Sequence, residues 1–205
     1  MYDSEKSPFF TPSIDPDSPF ARAFAKTMGH EGGYVSDPED AGGETYRGIS
    51  RVYNPTWPGW RVIDMWKEKN ISTEERDIYL KDMVPAFYRA MYWDRFQGDR
   101  IASLAKEVAY ELFDSAVNMG VHQAVKFLQV ALNTQNRQGT TYPDIEVDGK
   151  MGPLTISTLQ RYLTWQPGNR TENERILLNC MNGEQYIFYK NNPQHERFRG
   201  WFSRV

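Results

Sequence analysis

Cysteine and histidine are almost missing from this chain, with one Cys and three His among 205 residues. A single thiol, Cys180, excludes an internal disulfide. It sits beside Leu177 and Met181 on an apolar helical face and reads as a core residue. No His/Cys/Asp cluster has the spacing of a metal site, so no metal or cofactor is expected. His30 and His122 each stand alone in a helical stretch and read as structural histidines. Also missing is any apolar run long enough to cross a bilayer, so no stable membrane insertion is expected. The N-terminus lacks a basic segment followed by an apolar stretch, so no secretory signal is expected. Nor is there a cationic surplus. The net charge is −3, which excludes a nucleic-acid footprint.

What is present is enough for a real core. The apolar fraction is 40%, with 6 Trp, 12 Tyr and 11 Phe. The length fits one compact domain or two small ones. Charge is uneven: residues 1–44 hold nine acids against three bases, an acidic lead-in to a mildly basic body. Pro8, Pro12, Pro16 and Pro19 mark residues 1–19 as an extended arm.

The most informative stretch is HEGGYVSDPEDAGGETYRGIS, residues 30–50. Before it, residues 20–30 read as a helix with Phe20, Ala23, Phe24, Thr27 and Met28 on one face. Gly32-Gly33 is expected to stop that helix, which puts Glu31 in its last turn. The carbonyl end of a helix disfavours a further negative charge, and an apolar wall would add a desolvation cost. Both raise a carboxyl pKa, so Glu31 can hold a proton and donate it. Asp40 follows in a polar turn and should stay ionised. Two carboxyls pushed apart in this way suit glycoside hydrolysis, one as acid and the other as base or nucleophile. Thr45 offers a hydroxyl to hold a water. The plainer reading is a solvated helix-end Glu followed by an acidic turn.

Further along, Gly48-Ile49-Ser50 reads as a short strand or turn, and a small hairpin between residues 34 and 53 is the most β structure expected. Tyr34, directly after the glycines, and Tyr53, Trp57 and Trp60 offer flat faces for sugar rings, or simply core packing. Residues 61–70 read as a short helix. Ser72 and Glu75 form a capping box for the next one, and Pro85 should kink or divide the helical pattern that follows. The aromatic piece AFYRAMYWDRF reads as buried, with Trp93 and Tyr92 at the border of a cleft. Residues 101–117 read as a single amphipathic helix ended by Asn118-Met119-Gly120, and residues 121–133 as its antiparallel partner. Asp114 and Asn118 share a face one turn apart; they reach sugar hydroxyls or cap backbone. Asp148-Gly149 is a turn, Gly152-Pro153 starts a helix, and a last helix spans about 173–189.

Several of these strings resemble known proteins. The helix-end Glu31, Asp40 after eight intervening residues and the nearby Thr45 resemble the Glu, Asp, Thr signature of bacteriophage lysozymes. The fuller run HEGGY, DPEDAGGET and YRGIS resembles glycoside hydrolase family 108, phage-type endolysins that cut peptidoglycan as N-acetylmuramidases. The resemblance implies Glu31 as general acid, Asp40 as second carboxylate and Thr45 as the water-orienting residue. The gap from Asp40 to Thr45 is one residue shorter than in the phage lysozyme pattern, so Glu44 and Asp37 also stand as candidates for the second role. DSAVNMGVHQAVKFLQVALN and VDGKMGPLTISTL resemble the peptidoglycan-binding segment that accompanies this family, and FRGWFSRV its terminal segment, where Phe198 and Trp201 would pin the tail.

The implied protein is mainly α with a lysozyme-like helical fold. It divides into an arm (1–19), a catalytic region (20–100) and a helical peptidoglycan-binding region (101–205). Its partner is the peptidoglycan glycan strand, with Tyr34, Tyr53, Trp93 and Asn118 as substrate contacts. It is expected to be a monomer, made in a host cytoplasm without a signal peptide and acting on the wall after release through a separate membrane pore. The resemblance leans toward inversion. Competing readings are a non-catalytic wall-binding protein, a secreted bacterial muramidase effector and a lytic transglycosylase.

Overall fold

The computed structural model describes residues 14–29, 33–36, 43–69, 72–165 and 170–192. The chain is mainly α and divides into two compact units, Met1–Met91 and Tyr92–Val205. No helix among the described residues is long and apolar enough to cross a membrane.

The first unit opens with α1 (Pro19–Met28), capped by the Ser18 hydroxyl, which accepts from the Ala21 amide at 3.1 Å. Pro19 thus belongs to the helix, at the first position, where its missing N–H costs nothing. Phe20, Ala23 and Met28 are buried, as the spacing predicts. The helix stops earlier than expected: Gly29, at φ 48°, closes it, ahead of the Gly32-Gly33 pair. Three short strands follow, β1 (Tyr34–Ser36), β2 (Glu44–Tyr46) and β3 (Ile49–Ser50), all antiparallel in the order β1-β2-β3. This is one strand more than the expected hairpin. Arg47 and Gly48, both at positive φ, make the two-residue turn between β2 and β3, the backbone twist that tight hairpins favour.

Next come α2 (Gly59–Lys69), α3 (Thr73–Leu80) and α4 (Met83–Tyr88). The Ser72–Glu75 capping box is present, with both reciprocal bonds made. The helical pattern divides at Lys81-Asp82, which puts Pro85 in the first turn of α4, where proline is tolerated. The core of this unit is an aromatic chain. Phe20 meets Phe24, Phe24 meets Tyr88, Tyr88 meets Phe87, and Phe87 meets Trp57, which touches both Tyr46 and Trp60.

A π-helical turn, Arg89–Trp93, carries the division between units. The second unit holds α5 (Gly98–Leu104), α6 (Lys106–Met119), α7 (Val121–Thr134), α8 (Pro153–Trp165) and α9 (Arg170–Asn191). The single helix expected over 101–117 is broken at Ala105, whose backbone is extended. The cause lies far away in sequence. The Glu174 carboxylate on α9 accepts from the Glu107 and Val108 amides at 2.7 and 3.3 Å, capping α6. The Arg170 guanidinium donates to the Leu104 carbonyl and closes α5. Gly120 ends α6 as expected, and α6, α7 and α9 pack around Leu112, Phe113, Leu128, Leu132, Leu177 and Met181. Cys180 is only half-buried, with its sulfur near the Gln135 amide.

The VDGKMG turn is held from inside by Gln129, which is 1% exposed. Its side-chain amide donates to Asp148, the Lys150 carbonyl and Thr155, while its carbonyl oxygen accepts from the Gly149 amide at 2.8 Å. Those bonds, with the Lys150 amide, hold the Asp148 carboxyl below its ordinary pKa. The motif that resembles a wall-binding repeat is therefore a structural turn.

Two predictions follow from this packing. The buried Tyr162 hydroxyl donates to the Asn173 carbonyl at 3.0 Å, and burial pushes its pKa up to about 12. A folded pKa above the unfolded one stabilises fully below the unfolded value, near pH 10, and the contribution is lost as pH rises through 12. Urea midpoints should therefore fall over that window, and Tyr162→Phe should flatten the fall. Gly149 and Gly139 both have positive φ, but a Cβ on Gly149 would lie 2.5 Å from the His122 ring and 2.7 Å from its carbonyl, while one on Gly139 meets nothing within 4 Å. Gly149→Ala should cost about 2–5 kcal/mol and Gly139→Ala only about 1–2 kcal/mol. Thermal melts of the two variants compare them directly.

Candidate functional site

Side chains alternate across a strand, and in the small sheet this alternation sorts the candidate residues. Tyr34 pairs with Tyr46, Ser36 with Glu44, and Tyr46 with Ile49, which places these residues on one face. Val35, Thr45 and Ser50 pair across the other face. Tyr46 and Ile49 are buried, whereas Val35 is 55% exposed. The first face is the inner one and Thr45 stands on the outer one, back to back with Glu44.

The inner face is an ionic and aromatic ladder. Arg51 forms a two-bond fork with Asp64, at 2.6 and 2.8 Å, and also reaches Glu44 at 2.7 Å. The Asp64 bonds raise the Arg51 pKa further above its ordinary value. Lys67 pairs with the other Glu44 oxygen, to which the Tyr34 hydroxyl donates at 2.6 Å. Rings alternate with these cations: Arg51 lies over Trp60, Lys67 over Tyr34, and Arg76 over both Trp66 and Tyr46. Arg76 is 5% exposed and is neutralised by Asp77, which also accepts from the Tyr46 hydroxyl at 3.0 Å. Burial first, then the bond to Asp77, raises the Tyr46 pKa.

This arrangement shows what surrounds several sequence-based candidates. Glu44 is bonded by two cations and a phenol on the inner face, where it clamps the sheet. Tyr34 is half-buried and is held by Glu44 and by an edge contact to Trp66. Trp57 and Trp60 are core residues. Trp93 is corrected as well: it is fully buried, with its indole N–H on Asp99 and its ring against Phe96 and Phe113, so no ligand reaches it. Aromatic content signalled its burial, but not which side it faces. Asn118 donates to the Asp114 carbonyl at 2.7 Å, four residues back, and closes the end of α6. Glu31, Asp40 and Asp37, with His30, Phe198 and Trp201, lie outside the described residues.

Tyr53 is not a core residue. It is 73% exposed at the mouth of a groove of about 560 Å³ formed by the 53–58 loop and α4, with Asn54, Trp57, Met83, Phe87 and Met91 along it. The groove is linked to Thr45 through β3. Ser50 pairs with Thr45, and its carbonyl accepts from both the backbone and the side-chain amide of Asn54. Of the residues along this groove, Tyr53 and Trp57 lie far from Met83 in the chain, and a groove made by a loop and a later helix leaves no local pattern that would join them.

Comparison with known proteins fits this geometry. Residues 24–120 match the Glycosyl hydrolase 108 family, and residues 123–205 match the family described as Predicted Peptidoglycan domain. Among solved structures, the one titled "Structure of Brucella abortus SagA" is 25% identical, covers 90% of this chain and 88% of that chain, and superposes with a TM-score of 0.58. A search of the curated proteins finds no match.

The ladder generates a test of Glu44. Glu44→Gln should lower stability by about 1 kcal/mol, since its partners are partly exposed, with the loss shrinking in high salt. Release of reducing ends from peptidoglycan should stay within about threefold of wild type. A folded variant about 100-fold slower would make Glu44 the second carboxylate after all.

Proposed function

We propose that this chain, which belongs to the glycosyl hydrolase 108 family through residues 24–120, cleaves the β-1,4 bond between N-acetylmuramic acid and N-acetylglucosamine. That it is a glycoside hydrolase follows from the family, and the match of residues 123–205 to a peptidoglycan domain makes the wall polymer its partner. What supports the finer reading is where the described elements end and resume along the chain on either side of Glu31 and Asp40. The helix α1 ends at Met28, three residues before Glu31. The strands β1 and β2 pair on either side of the connection that carries Asp40. Thr45, on β2, stands on the outer face beside Ser50, and the groove at Tyr53 and Asn54 begins just beyond.

In the proposed reaction Glu31 gives its proton to the glycosidic oxygen as the bond to the anomeric carbon breaks. The bonding electron pair leaves with that oxygen. Asp40 takes a proton from the water whose oxygen bonds to the anomeric carbon, and Thr45 holds that water. This is the inverting course, which needs the carboxyls about 6.5–9.5 Å apart. The exposed ring of Tyr53 and the amide of Asn54 suit the apolar face and the hydroxyls of a sugar. On this reading the chain is an endolysin-type, bacteriolytic enzyme that acts on wall peptidoglycan after release from the cell that makes it.

The test is digestion of purified peptidoglycan with mass analysis of the fragments. Wild type should give reducing N-acetylmuramic acid ends carrying one added water. Glu31→Gln and Asp40→Asn should each slow release by about 10²–10⁴-fold with unchanged thermal melts. Anhydro-muramyl ends, or wild-type rates in Glu31→Gln, would overturn the mechanism.

A further inference from the structure

The C-terminal half of α9 has an unusual surface. Gln185 and Tyr189 turn inward and are buried, while Tyr186, Ile187 and Phe188 between them are 48%, 49% and 37% exposed. A solvated helix end gains nothing from three exposed apolar side chains in a row. Beside them lies a groove of about 350 Å³, formed by one stripe from each of two packed helices. Gln123 and Phe127 stand four residues apart on α7, and Glu184, Phe188 and Asn191 stand at the same helical spacing on α9, with Asn192 at the end.

The geometry points to this groove as a binding site for one neutral N-acetylated hexosamine ring, the N-acetylglucosamine unit of a glycan strand. The inference rests on the reading of peptidoglycan as the partner of this chain and assigns it a contact in the second unit. The Phe188 ring, 37% exposed, gives a face against which sugar C–H groups pack, and the buried Phe127 ring, 5.9 Å away and nearly perpendicular, braces it from behind. The amides of Gln123, Asn191 and Asn192 can donate and accept at the acetamido group and the hydroxyls. The Glu184 carboxylate accepts from two adjacent hydroxyls. A few polar groups over an apolar floor are the usual make-up of a small-molecule site. The volume is enough for one sugar ring. Among the described residues no Lys or Arg lines the groove, so the acidic stem peptide of the wall polymer, which would bring its own carboxylates against Glu184, fits it poorly.

The experiment is residue-resolved NMR titration of the full chain with tri-N-acetylchitotriose and, separately, with a free stem tetrapeptide. The sugar should shift the amides around Gln123, Phe127 and Asn191 in a saturable way. Phe188→Ala should weaken that response at least tenfold. Asn191→Ala, at an exposed position, should weaken it at least threefold, and it decides the matter if Phe188→Ala loses its fold. Saturation by the peptide alone, or sugar shifts confined to residues 14–91, would overturn the assignment. The Glu31→Gln variant separates this inference from the hydrolytic one. It should bind the sugar in this groove as wild type does while releasing almost no reducing ends; a Glu31→Gln chain that binds here and still releases them at wild-type rates refutes the mechanism and keeps the site.

Discussion

Arg51 is the hinge pin of the first unit. Its guanidinium is shared between Asp64 on α2 and Glu44 on β2, and Lys67 and Tyr34 complete the shell around Glu44. A three-stranded sheet of two- and three-residue strands has too few backbone bonds to stand alone. Fixed by this shell, with Arg76 between Trp66 and Tyr46 behind it, the sheet is anchored through its inner face. The outer face carries Thr45. Charge here acts as an anchor for position more than as a source of stability, since pairs this exposed add little.

The second unit is organised differently. Its helices depend on polar groups delivered from distant sequence. Glu174 and Arg170 cap the two sides of the Ala105 break, and Gln129 satisfies an entire turn from within the core. The Gly149 amide that Gln129 holds is buried and would otherwise lack a partner. The reward is a helical frame whose α7 and α9 stripes diverge enough at one end to leave a groove.

Much of this was legible in the sequence because it is local. The Ser72–Glu75 box, the Gly120 stop, Pro153 at a helix start and the apolar faces of α1, α6 and α7 all act within a turn or two of themselves. What escaped notice is what acts at a distance. Nothing near Ala105 announces a break, since its causes stand more than sixty residues away. Gly29 ended α1 ahead of the more conspicuous glycine pair because one left-handed residue suffices. Trp93 looked like a cleft aromatic and is a core one, a choice made by Phe113 and Asp99. Glu44 looked like a spare acid until its three partners were brought beside it. Thr45 could be named from spacing, but its face could not, because that depends on which residue it pairs with.

The pairing of Thr45 with Val35 and Ser50 also bears on the shortened gap between Asp40 and Thr45. Ladder register, not distance along the chain, decides which way the threonine hydroxyl points. A deletion in the connection between two paired strands shortens an excursion without turning either strand over, whereas one inside β2 would exchange the hydroxyl and the anchored acid. Length drift in this lineage should therefore collect in the 37–43 connection.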